Sequence, residues 1–237
     1  SHLRDLFSGA APLGLELAQA CVQRLKCSLR QGYGMTEMSP VSHVLPYVVK
    51  HKHSSIGRLV PNMTLKIVST ETGQPVPPGE LGEFWLKGPN VMKGYLNNAE
   101  ATAQTIDADG YLHTGDLGYI DEDGDCYVVD RCKELIKVKG YQVAPAELED
   151  LLNSHPAVED CAVVGVFVDG EETPKAFVVL KPAHQPSPKL AADIIAFAAA
   201  RSAPYKRIKQ LDFIKAIPKS ASGKILRREL RSQTSKL

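Results

Sequence analysis

Apolar and polar positions along this chain change their period several times, and each change marks an element. Leu15, Ala18, Cys21, Val22 and Leu25 recur at helical spacing, which predicts a helix over Leu15 to Leu25. Gln31 to Gly34 then reads as a glycine-rich turn. From Ser55 to Asp130 the pattern becomes β-like, with strands expected at Thr64 to Val68, Glu83 to Lys87 and Cys126 to Val129. Asp121-Glu122-Asp123-Gly124 separates Leu117–Ile120 from Cys126–Val129, which predicts a hairpin. Pro75, Pro77, Pro78 and Gly79 mark a loop.

Near Asp130 the pattern shifts again. Lys133 to Lys139 is a charged, strand-capable stretch ending at Gly140. Ala144 to Asn153 predicts a helix, with Pro145 in its first turn and Leu148, Leu151 and Leu152 on one face. Apolar strands at Cys161–Val168 and Ala176–Leu180 follow, then a helix over about Lys189 to Ala200. A strand ends at Phe213–Ile214, and a polar loop runs from Pro218 to Gly223. This alternation predicts a small α+β domain over residues 132–237 behind a β-rich piece of a larger domain over residues 1–131.

Composition narrows the classes. The chain has 237 residues, 43% of them hydrophobic, and a formal net charge of +1. That balance gives no general attraction for nucleic acid or an anionic membrane. Apolar runs such as Cys161 to Val168 are too short to span a bilayer, and no signal peptide is visible. Cys21, Cys27, Cys126, Cys132 and Cys161 are odd in number and form no C-x-x-C pair. Reduced, mostly buried thiols in a reducing compartment are therefore expected. A start at Ser1 suggests a fragment or a truncated gene product. Ser235-Lys236-Leu237 matches the peroxisomal address read by an import receptor. The expected location is the peroxisome, or otherwise the cytoplasm.

Four clusters could carry chemistry. Gln31-Gly32-Tyr33-Gly34-Met35-Thr36-Glu37 offers glycine backbone, a hydroxyl for phosphate and a carboxylate for Mg²⁺. On its own it is equally a tight turn. His113-Thr114-Gly115-Asp116, with Arg131 fifteen residues beyond Asp116, suits a ribose diol but also suits a surface turn. Lys133, Lys137 and Lys139 would share one strand face. Such a row favours a polyanion, although it could be solvated. Pro218-Lys219-Ser220-Ala221-Ser222-Gly223-Lys224 could bring a lysine to developing charge, or be a flexible basic tail with Arg227, Arg228 and Arg231.

Taken in order, these clusters closely resemble the adenylate-forming superfamily of acyl-CoA synthetases, 4-coumarate–CoA ligases and beetle luciferases. The matching blocks are Ser8 to Leu13, Gln31 to Glu37, Gly82 to Pro89, His113 to Asp116, Asp130 to Glu149 and Pro218 to Leu230. They cover essentially the whole chain, and 4-coumarate–CoA ligase-like proteins match best. The implied fold is α/β and α+β: the C-terminal part of a large adenylate-forming domain, with its β-rich subdomain, followed by a small mobile C-terminal domain.

The resemblance also implies roles. Ala10, Gln31, Gly32, Tyr33 and Thr36 match ATP and AMP contacts, Glu37 a magnesium ligand, and Val44 the acyl pocket. Asp116 and Arg131 match residues that hold the ribose. Lys133, Lys137 and Lys224 also match ATP and AMP contacts, and Lys133 matches the hinge about which the small domain turns between two half-reactions. Lys224 matches the lysine of acyl-AMP formation. Lys137 and Gln142 match residues of the second step, and Lys139 and Gly140 match CoA contacts. The implied substrates are a small carboxylic acid, ATP with Mg²⁺, and CoA.

One departure stands out. The family's Ser/Thr/Gly-rich phosphate loop, ending in lysine, precedes the Gln31 block, and nothing in this chain resembles it. The resemblance therefore implies weak or absent catalysis by these residues alone, with open sheet edges. A luciferase-like oxygenase and a non-catalytic nucleotide-binding product are the alternatives. A peptide-synthetase adenylation domain fits less well, because no carrier domain follows.

Overall fold

The computed structural model describes residues 2–11, 13–49, 52–221 and 223–234, apart from the side chains of Gln233 and Thr234. The Ser235-Lys236-Leu237 address, Pro12 and Ser222 lie outside the described residues. Two compact units are present, Ser1–Cys132 and Lys133–Leu237.

The first unit opens with a strand–helix–strand module. Strand β1 (Asp5–Ser8), helix α1 (Leu15–Leu25) and strand β2 (Ser28–Gly34) follow one another, and β1 and β2 pair in parallel. A parallel pair needs a crossover, and the amphipathic α1 supplies it. Lys26 ends the helix in the left-handed region, its N–H bonded to the Val22 carbonyl. Strands β3 (Val41–Val44) and β4 (Arg58–Leu59) complete a sheet in the order β1-β2-β3-β4.

A second sheet is an antiparallel meander. It contains β5 (Thr64–Val68), β6 (Gly82–Lys87), β7 (Leu112–Ile120) and β8 (Cys126–Arg131) in sequential order. Helix α2 (Ala99–Thr105) interrupts the meander, and the Asn98 side chain caps it by accepting from the Ala101 N–H at 3.0 Å. Met38, Leu86 and Leu112 form one buried cluster, and Ile56, Ile67, Phe84 and Cys126 another. Phe84 is fully buried, so truncating it to alanine would cost about 3–5 kcal/mol.

The second unit starts with a hairpin of β9 (Ile136–Val138) and β10 (Tyr141–Val143). Helix α3 (Pro145–Asn153) follows, then β11 (Val158–Val168) and β12 (Glu171–Leu180), antiparallel over their length. Helix α4 (Pro188–Ala199) is capped by Ser187, and it leads to β13 (Gln210–Phe213), parallel to β12. Helix α5 (Arg227–Thr234) closes the described chain. Leu148 and Leu152 of α3 pack with Val163 and Val178 of the sheet and with Ile194 of α4, all fully or nearly fully buried. Leu230 of α5 packs against Val164 and Phe177.

Two sequence expectations need correction. Gln31 to Gly34 is the end of β2, not a turn. Its glycines sit where the chain packs closely: a Cβ on Gly34 would lie 1.9 Å from the Pro40 carbonyl oxygen. The stretch from Lys133 to Lys139 is not one strand. Residues 132–134 form a turn, and β9 spans only Ile136–Val138. Lys139 and Gly140 then make the hairpin turn, with φ of 49° and 85°, the left-handed pair that a two-residue connection requires. The three lysines therefore do not form a single row. The alternative of a flexible basic tail at Arg227, Arg228 and Arg231 also falls, since Arg227–Thr234 is a helix. Among the described residues no helix is long and apolar enough to cross a membrane.

Candidate active site

Among the links between the two sheets of the first unit, one reaches the charged candidates directly. Tyr33, near the end of β2, donates its hydroxyl to Asp116 Oδ2 on β7. Asp116 Oδ1 lies 3.3 Å from Arg131 Nε. The register explains that pair, because Asp116 and Arg131 are cross-strand partners in β7 and β8. Asp116 is 7% exposed, while the Arg131 side chain is 58% exposed. The carboxylate is thus held from inside, and its guanidinium partner opens to solvent. Burial, then the charge of Asp116, push the Tyr33 phenol well above its ordinary 10.0. Tyr33 therefore stays protonated and acts as a donor.

Tyr33 is itself packed from behind. Its ring meets Phe84 edge-on at 6.4 Å and His43 at 5.8 Å. His43 is fully buried on β3, opposite Tyr33. Burial lowers its imidazole from an ordinary 6.5 to about 4. It is a neutral packing element, with Ser42 Oγ 2.9 Å from Nδ1.

The strand ends beside this cluster carry the rest of the first-unit candidates. Ser8 pairs with Gln31, so the loop after β1 and the end of β2 leave the parallel pair at the same edge. Ligands of open α/β sheets bind outside such carboxyl ends. In that loop Ala10 has φ of 70°, a left-handed conformation uncommon for a residue with a side chain. Gln31 is buried, its Nε2 donating to the Leu13 and His53 carbonyls. Gly32 pairs with Val44, and a Cβ at Gly32 would meet the Phe7 ring at 2.4 Å. Thr36 is exposed and opens a short 3₁₀ turn with Glu37. Glu37 accepts from the Tyr95 hydroxyl at 2.8 Å, and its carbonyl accepts from the Met92 N–H at 2.8 Å. A hydroxyl and a carboxylate side by side are oxygen donors suited to Mg²⁺.

Another acidic group, Asp121, Asp123 and Asp125, has ligand atoms within 4.8 Å of one another. The Lys52 ammonium already sits among them, at 2.6, 2.8 and 2.8 Å. Hydrogen bonds to the three carboxylates raise the Lys52 pKa. This cluster anchors the Lys52 segment, and the adjacent His53 carbonyl receives Gln31.

The second unit holds the remaining candidates. Lys137 faces Gln142 across β9 and β10. Lys139 Nζ lies 3.8 Å from Glu171, and Lys133 is exposed in its turn. Backbone hydrogen bonds join the described residues on either side of the lysine loop. Ser220 N–H donates to the Lys224 carbonyl at 2.9 Å, and Leu226 N–H to that of Pro218 at 2.8 Å. Lys219 is engaged with Asp160 at 2.6 Å, whereas Lys224 is exposed and has no ion pair among the described residues. Directly after this loop, Arg227 Nη2 grips both oxygens of Glu149 at 2.7 Å. The same Glu149 also accepts from the Val163 N–H at 2.8 Å. Arg231 adds a 2.5 Å contact to Glu134.

The structure thus brings Tyr33, Asp116 and Arg131 together, places Gln31, Gly32 and Val44 on adjoining strand positions, and sets Glu37 on the following turn. Lys137, Lys139, Gly140 and Gln142 share one hairpin. Sequence reasoning passed over Tyr95, His43 and Glu83 as individual residues, although Glu83 lies in the Gly82–Pro89 block. The contacts that tie them to the site, Tyr95 to Glu37, Glu83 to Gly115 and His43 to Tyr33, join residues well separated in the chain, so no local signal marked them.

Comparison with known proteins gives this geometry a relative. The AMP-binding enzyme family matches residues 1–96, and the AMP-binding enzyme C-terminal domain matches residues 147–224. A Dictyostelium discoideum protein named "Probable 4-coumarate--CoA ligase 3" is 50% identical over 235 residues, covering 98% of this chain and 42% of the relative. An ATP-bound RpMatB-BxBclM chimera superposes with a TM-score of 0.92 at 34% identity, over 98% of this chain and 46% of that one. The anthranilate CoA ligase AuaEII, in complex with anthranoyl-AMP, gives 0.89 at 34% identity, over 99% and 44%. The chain therefore spans less than half the length of these relatives. Matched in both of its units, it belongs to the adenylate-forming superfamily of AMP-binding enzymes.

Proposed function

We propose that this chain contributes the nucleotide-holding and lysine-bearing parts of an ATP-dependent acid–CoA ligase of the 4-coumarate–CoA ligase type. The observation that carries this reading is the Tyr33–Asp116–Arg131 constellation. A buried carboxylate fixed by a phenol and flanked by an exposed guanidinium is suited to a ribose diol and its phosphate. In this reading Asp116 accepts from the diol, and Arg131 steers the phosphate side. Ala10, Gln31, Gly32 and Tyr33 line the nucleotide, and Val44 contacts the acyl group. Thr36 and Glu37 would hold Mg²⁺, which neutralises phosphate charge when bound.

The chemistry needs cations. A carboxylate attacks the α-phosphate of ATP, forming the acyl–phosphate bond and releasing pyrophosphate. The CoA thiol then displaces AMP and gives up its proton. Two anions must approach in the first step, so a positioned ammonium stabilises the transition state. Lys224 is assigned that task, and its exposure, with no ion pair among the described residues, supports the assignment. Lys133 acts as the hinge residue, Lys137 and Gln142 serve thioester formation, and Lys139 and Gly140 hold CoA. The Ser235-Lys236-Leu237 ending directs the protein to the peroxisome through an import receptor.

ATP–pyrophosphate exchange with a panel of carboxylic acids, measured on a full-length protein that includes this chain, tests this reading. Exchange that requires one acid supports it, and light emission with luciferin in place of CoA thioester would favour the oxygenase alternative. Failure of the chain to bind AMP or ATP at millimolar concentration would overturn it.

A further inference from the structure

The residues that aim Asp116 do not lie in a regular ladder. Pairing between β6 and β7 runs from Glu83↔Leu117 directly to Trp85↔His113. Between these pairs Thr114, Gly115 and Asp116 face only Phe84, so the strand bulges and its ladder donors are left over. Backbone N–H groups in such a place need other acceptors. Thr114 Oγ1 takes the Asp116 N–H at 3.1 Å while donating to the Phe84 carbonyl at 2.8 Å. Glu83 Oε1 takes the Gly115 N–H at 2.8 Å. The Gly115 carbonyl accepts from the Cys132 N–H at 2.8 Å. Gly115 has φ of 71°, so both its peptide groups are tied in a conformation that glycine permits.

The same carboxylate has a second contact. Glu83 Oε2 accepts from the Trp85 indole N–H at 3.0 Å. That indole stacks on His113 at 3.8 Å, nearly parallel, and His113 Nε2 lies 3.2 Å from Asp107. Glu83 therefore ties the bulge to the strand pair at its base. Its charge is felt at Cys132, where burial first and then Glu83 and Asp116 push the thiol up to about 11.

We propose that Glu83 is a positioning residue for nucleotide binding, holding the Gly115 bulge so that the Asp116 carboxylate faces the ribose diol. This rests on the nucleotide reading of the site. Glutamine at position 83 would keep the shape but offer an amide NH₂ toward one of two N–H donors, so one contact is lost.

The chain's single tryptophan makes the proposal readable, because Trp85 gives one indole cross-peak in a ¹⁵N-correlated NMR spectrum. The test compares the parent chain with Glu83→Gln and Glu83→Asp. It records the Trp85 indole and Gly115 amide shifts without ligand, then titrates AMP, with circular dichroism reporting the fold. The expected result is movement of both cross-peaks in Glu83→Gln, a native circular dichroism spectrum, and at least tenfold weaker AMP binding. Glu83→Asp, which keeps the charge on a shorter arm, should fall between. Unmoved cross-peaks, or moved cross-peaks with AMP affinity within twofold of the parent, would overturn the inference alone. A parent chain that does not bind AMP would overturn the nucleotide reading and this inference with it.

Discussion

Acidification should loosen the first unit through His43, and the size of the effect can be worked out. His43 is fully buried between Tyr33 and Phe84, and burial lowers its imidazole from 6.5 to about 4. Between these values the unfolded chain binds a proton that the folded chain refuses. Stability is therefore unaffected above pH 6.5 and falls by about 1.4 kcal/mol per pH unit as pH drops toward 4. From pH 7 to pH 5 the loss from this one group is about 2 kcal/mol. His43→Leu removes the titration at the cost of some packing, so the parent's stability minus the variant's should be about 2 kcal/mol smaller at pH 5 than at pH 7. Urea unfolding at several pH values, followed by Trp85 fluorescence, measures that difference, and other titrating groups cancel in it. A difference that stays constant within about 0.5 kcal/mol would refute a neutral, proton-excluding His43.

Other expectations follow from the same contacts. Arg227→Met removes the guanidinium that grips the buried Glu149 carboxylate, which should cost about 3–5 kcal/mol in the second unit. Faster amide exchange across Val158–Val168 and α5 would register that loss, and unchanged exchange would count against it. Lys224→Ala should lower acyl-AMP formation by ~10²–10³ wherever pyrophosphate exchange is measurable. Gln142→Ala should reduce thioester formation more than adenylation, and equal losses in the two steps would argue against its role. Tyr33→Phe removes one hydrogen bond to a buried carboxylate and should destabilise the first unit by about 1.5–3 kcal/mol, as read by urea unfolding, and weaken AMP binding, as read by calorimetry.

The legible parts of this chain are those whose physics is local. Helices α1 and α3 announce themselves by the spacing of their apolar residues, Pro145 marks a helix start, and the Asp121–Gly124 turn announces the β7–β8 hairpin. That hairpin sets Asp116 opposite Arg131, so two residues fifteen positions apart became a cross-strand pair. The misread parts depend on distant contacts. Gly32 and Gly34 look like a turn, yet they lie in β2, paired with β3, and are glycine where Phe7 and Pro40 leave no room for a Cβ. Lys139-Gly140 hid a turn inside an alternating pattern. Helix α5 has a strongly polar face, and what fixes it is Leu230 and the Arg227–Glu149 pair, whose partners are far apart in sequence. Glu83 could not be singled out at all, since its role exists only through the bulge in β7.

The central claim is that Asp116 and Arg131, steadied by Tyr33, form the seat of a nucleotide. Mapping AMP onto the assigned ¹⁵N spectrum of the chain tests it most directly. The account predicts saturable shifts concentrated at Tyr33, Thr114 to Asp116 and Arg131, abolished in Asp116→Asn. Shifts that are absent, scattered, or unchanged in that variant would contradict it.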